Sequence, residues 1–171
     1  MTLLTAMAVA ACGGDDDGDG PQTFDDDAYP FTFEYPADFE VTDDVNFSVE
    51  AGGSLEDSRA VALDEENMLI LSRTTLNLAI DDSNIDLAKG EMDQLYQQID
   101  PESEPGQESE YGGYTSLEYE VSVDTPPDGT SRIVSLFDGD QQYTINCQST
   151  PDSQEEIDDA CQQALDTLSQ A

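Results

Sequence analysis

The sequence predicts an α+β fold: an antiparallel sheet of about six to seven strands, packed by one mid-chain helix and one C-terminal helix. Three observations carry the prediction. Short runs in the first and last thirds of the chain alternate apolar and polar residues with a period of two. The apolar period changes to that of a helix twice, after Ser83 and after Ser153. Clusters of Gly, Pro, Asn and Asp punctuate the runs, and strands and helices follow one another in mixed order, as in helices laid on one antiparallel sheet.

Residues 1–11 form an apolar run ending in Val9-Ala10-Ala11, followed by Cys12, Gly13 and Gly14 and then by Asp15, Asp16 and Asp17. The run is shorter than the about 20 residues that span a bilayer, and it fits the apolar core and small-residue cleavage site of an export signal. The junction resembles the lipobox of a bacterial lipoprotein. That resemblance implies cleavage before Cys12, acyl chains on Cys12, and a mature protein held on the extracytoplasmic face of the cell membrane. No Lys or Arg precedes Leu3, so the reading frame is expected to extend upstream.

Residues 12–28 read as a lipidated cysteine and an acidic, disordered tether, with Phe24 the only large apolar residue. Such a run buries too little surface to offset its ordering entropy, and its like charges extend it. Asp15, Asp17, Asp19, Gly20 and Asp26 match the ligand spacing of a helix-flanked calcium loop. The helices that should flank that loop cannot form beside Gly13-Gly14, so the tether reading is preferred. Weak divalent-cation binding by the tether stays an alternative.

One domain is predicted over 29–171. Phe31, Phe33 and Tyr35 alternate as a half-buried strand stopped by Pro36, and Phe39 and Val41 continue the pattern after a turn. Val45, Phe47 and Val49 read as another strand, closed by Gly52-Gly53. Ala60–Leu63 and Met68–Ile80 follow, separated by a turn at 64–67. Because Met68, Leu69, Ile70 and Leu71 are consecutively apolar, both faces of that strand are expected to be covered. Ser83 and Asp86 resemble a capping box, and Ile85, Ala88, Met92, Leu95, Tyr96 and Ile99 recur at helical intervals, with Gly90 weakening the helix. Asp100 to Gly113 reads as an acidic loop, either disordered or a binding loop.

In the last third, Leu117, Tyr119, Val121 and Val123 alternate, a turn at 126–129 leads back through Ile133, Val134, Leu136 and Phe137, and Asp138-Gly139 turns the chain into Tyr143, Ile145 and Cys147. Ser153 as N-cap and Glu156 open a helix whose stripe is Ile157, Ala160, Cys161, Ala164, Leu165 and Leu168. Cys147 and Cys161 therefore both point into one core. In an exported protein this predicts a disulfide, the alternative being two free buried thiols. A zinc site fits poorly, because the chain has no His and only two cysteines remain after lipidation.

The first strand ending in Pro36, the mid-chain helix, the long hairpin and the C-terminal helix together resemble the PsbP-like fold, an α-β-α sandwich. Tyr143-Thr144-Ile145-Asn146-Cys147 and the helix carrying Cys161 resemble the ends of small actinobacterial envelope lipoproteins of that fold. The resemblance implies an accessory or binding role without catalysis, and it assigns no functional residues.

Forty acidic residues against four basic ones give a formal net charge of −36. Such a surface repels nucleic acid and anionic lipid headgroups, and favours cationic partners. Arg59, Arg73, Lys89 and Arg132 are expected in structural ion pairs. The chain has no His, no nucleophile elbow and no phosphate-binding glycine loop, and its acids are too many for any pair to stand out. The function expected is a lipid-anchored envelope binding module with no cofactor, no metal and no catalytic residue. Its partners are the membrane, through Cys12, and an envelope protein or cationic ligand. The competing reading is an exported hydrolase using two carboxylates, which would show as a pocket with paired buried acids.

Overall fold

The computed structural model, which describes residues 20–43, 45 and 58–171, places the first strand inside the Asp-rich stretch. Strand β1 is Gln22–Phe24 and pairs antiparallel with β2, Phe31–Tyr35. The folded unit thus includes residues ahead of Tyr29. Phe24, the lone apolar residue there, is buried, and Asp26 forms an ion pair with Arg59 at 3.0 Å. The tether boundary at 28 is corrected accordingly: residues 22–28 belong to the folded unit.

A second sheet has the order β3-β4-β5-β8-β7-β6 and is antiparallel throughout. Its members are β3 (Glu40–Thr42), β4 (Arg59–Ala62), β5 (Met68–Ile80), β6 (Gln107–Tyr111), β7 (Tyr114–Val123) and β8 (Gly129–Ser149). Helix α1 is Ile85–Ile99, α2 is Gln154–Thr167, and a two-residue strand β9 (Ser169–Gln170) pairs with β2 to complete a small sheet β1-β2-β9. The fold is α+β, with one mid-chain helix and one C-terminal helix on antiparallel sheets, as the sequence predicts.

β8 runs unbroken over 21 residues, yet its ends meet: a Cβ built on Gly129 would lie 3.0 Å from the Ser149 carbonyl oxygen. A straight strand of that length would separate them by about 65 Å. The chain therefore doubles back at Asp138-Gly139, where Gly139 has φ of 60°, and Gln142 donates to Ser135 Oγ across the fold at 3.0 Å. Residues 129–137 pair with β7 and 139–148 with β5, so the predicted reversal is present inside β8, between its two ladders.

Alternation along these strands sorts side chains to two faces. One face carries Val61, Leu69, Leu71, Val134, Leu136, Tyr143, Ile145 and Cys147, and packs against α2 and the aromatic small sheet. On the other, Leu117, Tyr119, Val121, Ile133 and Phe137 pack against Ile85 and Tyr96 of α1. Ala60, Met68 and Ile70 form a third cluster with Val45 against it. Met68 to Leu71 are all buried, as an apolar run covered on both faces requires. Of the strand expected at Val45, Phe47 and Val49, the last two residues lie outside the described ones.

Four local expectations differ. Residue Asn84, not Ser83, caps α1, and its side chain accepts from the Asp81 N–H while Ser83 turns back to Asp81. Ser153 is the N-cap of α2 but makes no side-chain cap hydrogen bond. Leu95 and Ile99, expected in the buried stripe of α1, are each 40% exposed. The 100–113 segment is not all loop either. It contains β6, joined to β7 by Gly112-Gly113, both with positive φ.

Candidate functional site

Cys147 and Cys161 form the expected disulfide, with S–S 2.04 Å and Cα–Cα 6.0 Å, fastening α2 to the second half of β8. Cys12, the predicted lipidation site, lies outside the described residues. Among the acids of the calcium-loop spacing, Asp26 is engaged: one carboxylate oxygen accepts from Arg59 and the other from the Ala28 N–H at 2.8 Å. No group of three or more potential metal ligands exists among the described residues.

The bases are used structurally. Arg59 bridges Asp26 and Asp43, Lys89 holds Asp93 at 2.7 Å, Arg132 holds Glu118 at 2.7 Å, and Arg73 donates to the Ala28 carbonyl. Around Asp93 the contacts form a fastening point. Its second oxygen accepts from the Gly106 N–H at 2.9 Å and from the Tyr119 hydroxyl at 3.0 Å. Partial burial pushes the Asp93 carboxyl up, but the hydrogen bonds from Lys89, Gly106 and Tyr119 outweigh it and leave it below the usual carboxylate range. Burial, with Asp93 adding to it, drives the Tyr119 hydroxyl far above its ordinary value. Burial alone pushes Tyr96, whose ring centroid lies 4.6 Å from that of Tyr119, up to about 12.

This fastening fixes the loop 100–106. Asp100 accepts from the Ser122 and Glu102 N–H groups, each at 2.9 Å, and these bonds hold its carboxyl low. Two open grooves of about 380 and 500 Å³ flank the loop. Glu102, Glu104 and Glu118 line one, and Asp124 and Asp128 the other. No Asp or Glu is buried among the described residues; the buried polar groups are Ser, Thr, Asn and Gln. Asp158 is a carboxyl raised by desolvation, a rise that Arg132 opposes, and it sits exposed on α2.

A different groove, about 720 Å³, lies between α1 and the far end of β5. Ile80, Phe137, Ala88 and Met92 contribute to its apolar lining, and Leu78 and Leu87 stand at it 53% and 61% exposed. The β5–β8 register is interrupted between Thr75 and Ile80, which lets Asn77, Leu78 and Ala79 stand out toward solvent. Sequence reasoning did not find this groove. Its signal was Leu87, an apolar residue out of phase with the Ile85, Ala88, Met92 and Tyr96 stripe.

No protein-family model matches the chain, and no curated protein is similar to it in sequence. Among solved structures it is similar to the solution structure of cyanobacterial PsbP (CyanoP) from Synechocystis sp. PCC 6803, with a TM-score of 0.57 at 11% identity over 95% of this chain and 99% of that one. It is also similar to a crystal structure from Bacteroides thetaiotaomicron VPI-5482, with a TM-score of 0.50 at 10% identity over 90% of this chain and 49% of that one. The chain spans about half the length of the latter. At these identities the likeness is one of fold.

Proposed function

We propose that the folded unit is a non-catalytic binding or accessory module, held at the extracytoplasmic face of a bacterial membrane by acyl chains on Cys12. One observation carries the non-catalytic part: no Asp or Glu is buried among the described residues. A two-carboxylate hydrolase needs one carboxyl kept protonated near neutral pH by a desolvated site, beside a second that stays ionised. Asp93 and Asp100 are instead held low by structural donors. The PsbP-like fold and the lipobox-like Val9-Ala10-Ala11-Cys12 support the accessory reading and the anchor.

With β1 starting at Gln22, the covalent chain from Cys12 to the domain can reach at most about 35 Å. That span keeps the module close to the membrane, where confinement raises its effective concentration for neighbouring partners. Two acyl chains give stable anchoring where one gives marginal binding. The test has two arms. Cells fed a clickable fatty acid should label the wild type and not Cys12→Ser; label persisting on that variant removes the anchor. Purified domain should show no turnover on glycoside, ester and peptide panels; turnover abolished by changing one Asp or Glu would establish the hydrolase reading.

A further inference from the structure

The α1–β5 groove combines an apolar lining with an acidic rim. Leu78 and Leu87 flank it, Ile80, Phe137 and Met92 contribute to it, and Asp86 and Glu91 also line it, with Asp81 and Asp82 in the preceding turn. No Lys or Arg lines it. Lys89, the only lysine in the chain, is tied to Asp93. From the groove, Leu87, Glu91, Leu95 and Ile99 follow one another at intervals of four along α1 and so form a single ridge. That ridge rises about 18 Å along the helix. Leu87, Leu95 and Ile99 on it are 61%, 40% and 40% exposed, so it is an apolar line interrupted by one acid.

Resting on the binding-module reading, we propose that this groove and ridge dock a basic amphipathic helix of another protein. The partner's apolar side would pack on Leu78, Leu87, Leu95 and Ile99, and its Lys or Arg residues would face Asp86 and Glu91. The dimensions suit a helix of about twelve residues laid along the ridge. Charge selects among occupants. A second copy would bring another net −36 and four basic residues, of which Arg59, Lys89 and Arg132 are already in ion pairs. An anionic bilayer meets the same repulsion. A small apolar ligand is buried in an enclosed cavity, whereas this groove is open and continues onto a ridge.

The probe is a synthetic Leu/Lys peptide of about 18 residues, patterned as an amphipathic helix. Its controls are a scrambled sequence of the same composition and a Leu/Glu counterpart. Against the wild-type domain, the patterned peptide is expected to bind, to move NMR resonances of residues 76–80 and 86–99, and to weaken with added salt. The Leu/Glu peptide should not bind. The charge-neutral variant Leu78→Ser/Leu87→Ser alters only exposed side chains, and it should bind the patterned peptide at least tenfold more weakly with its thermal midpoint unchanged. Asp86→Asn/Glu91→Gln should also weaken binding and flatten its salt dependence.

Equal affinity for the scrambled peptide, or undiminished binding by the Leu double variant, would reduce the effect to bulk charge and overturn the assignment. Resonance shifts confined to the 100–106 loop would overturn it too. Self-association of peptide-free protein that the Leu double variant abolishes would give the groove to a second copy. A wild-type domain indifferent to every peptide ends the groove assignment while the binding-module reading stands, since that reading falls only to turnover.

Discussion

Phe24 stacks on Phe33, with ring centroids 4.8 Å apart and planes 14° from parallel. The contact joins the Asp-rich N-terminal segment to the core, and Tyr29 meets the same ring edge-on at 5.7 Å. Phe24→Ala should therefore cost about 3–5 kcal/mol, the range for truncating a buried aromatic. Removing residues 1–19 should leave the thermal midpoint unchanged. Denaturant unfolding of both variants checks the domain boundary: an unaffected Phe24→Ala would return residues 22–28 to the tether.

The Asp93 contacts predict how stability depends on pH. A carboxyl held low when folded contributes stability that is full above its unfolded value, about 4, and lost as pH falls through the folded value. Asp64, Asp93 and Asp100 all act in this direction. Asp93→Asn should flatten the acid limb of a midpoint-against-pH curve. Tyr119→Phe should cost about 1.5–3 kcal/mol at neutral pH through the lost hydrogen bond to a charged acceptor. At the alkaline end, Tyr96 is raised to about 12, so its contribution is full below about pH 10 and is lost as pH rises toward 12.

Gly106 tests the same junction by shape. A Cβ there would collide with the Tyr119 ring. Gly106→Ala should displace the ring or the loop and cost about 1–3 kcal/mol, as overpacking does. Amide exchange should quicken first at Gly106 and the β6 amides, ahead of α2.

Reducing the Cys147–Cys161 bond, or replacing both residues with Ala, should cost about 3 kcal/mol in the chain-entropy model for a loop of this size. Calorimetry with and without reductant measures it. Two alkylatable thiols in protein isolated without reductant would show that the bond does not form.

Ionic strength supplies the last test. Forty acids against four bases repel one another in the compact state, and at 1 M salt the Debye length falls to about 3 Å. The thermal midpoint should climb between low and molar salt. A flat response would mean the charges are too dispersed to oppose folding.

What could be read from the sequence follows how much apolar signal each element carries. β5 stands out by its unbroken apolar run Met68–Leu71, and β7, both helices and the disulfide by apolar residues that keep one period, as in Leu117–Val123 and the Ile157–Leu168 stripe. β1 offers a single apolar residue between acids, and β9 is Ser169-Gln170, with none. β6 reads Gln-Glu-Ser-Glu-Tyr, an outer strand whose polarity suits an edge but hides it in an acidic loop. The groove was missed for a related reason. Periodicity reports which residues could be buried, and Leu95 and Ile99 satisfy it although no described neighbour covers them fully. Leu78 is exposed because β5 loses register, an irregularity that no local pattern encodes.

β2 lies between β1 and β9, so the first two described strands and the last one share a sheet. Phe31 pairs with Gln170, Glu34 donates its N–H to Thr167 Oγ1, and the Ala171 N–H reaches the Pro30 carbonyl. Such contacts span nearly the whole chain, and pairings of that separation form late and slowly. During folding, this small sheet therefore cannot close until β9 is available, so β1 and β2 wait on a segment more than 130 residues further along the chain.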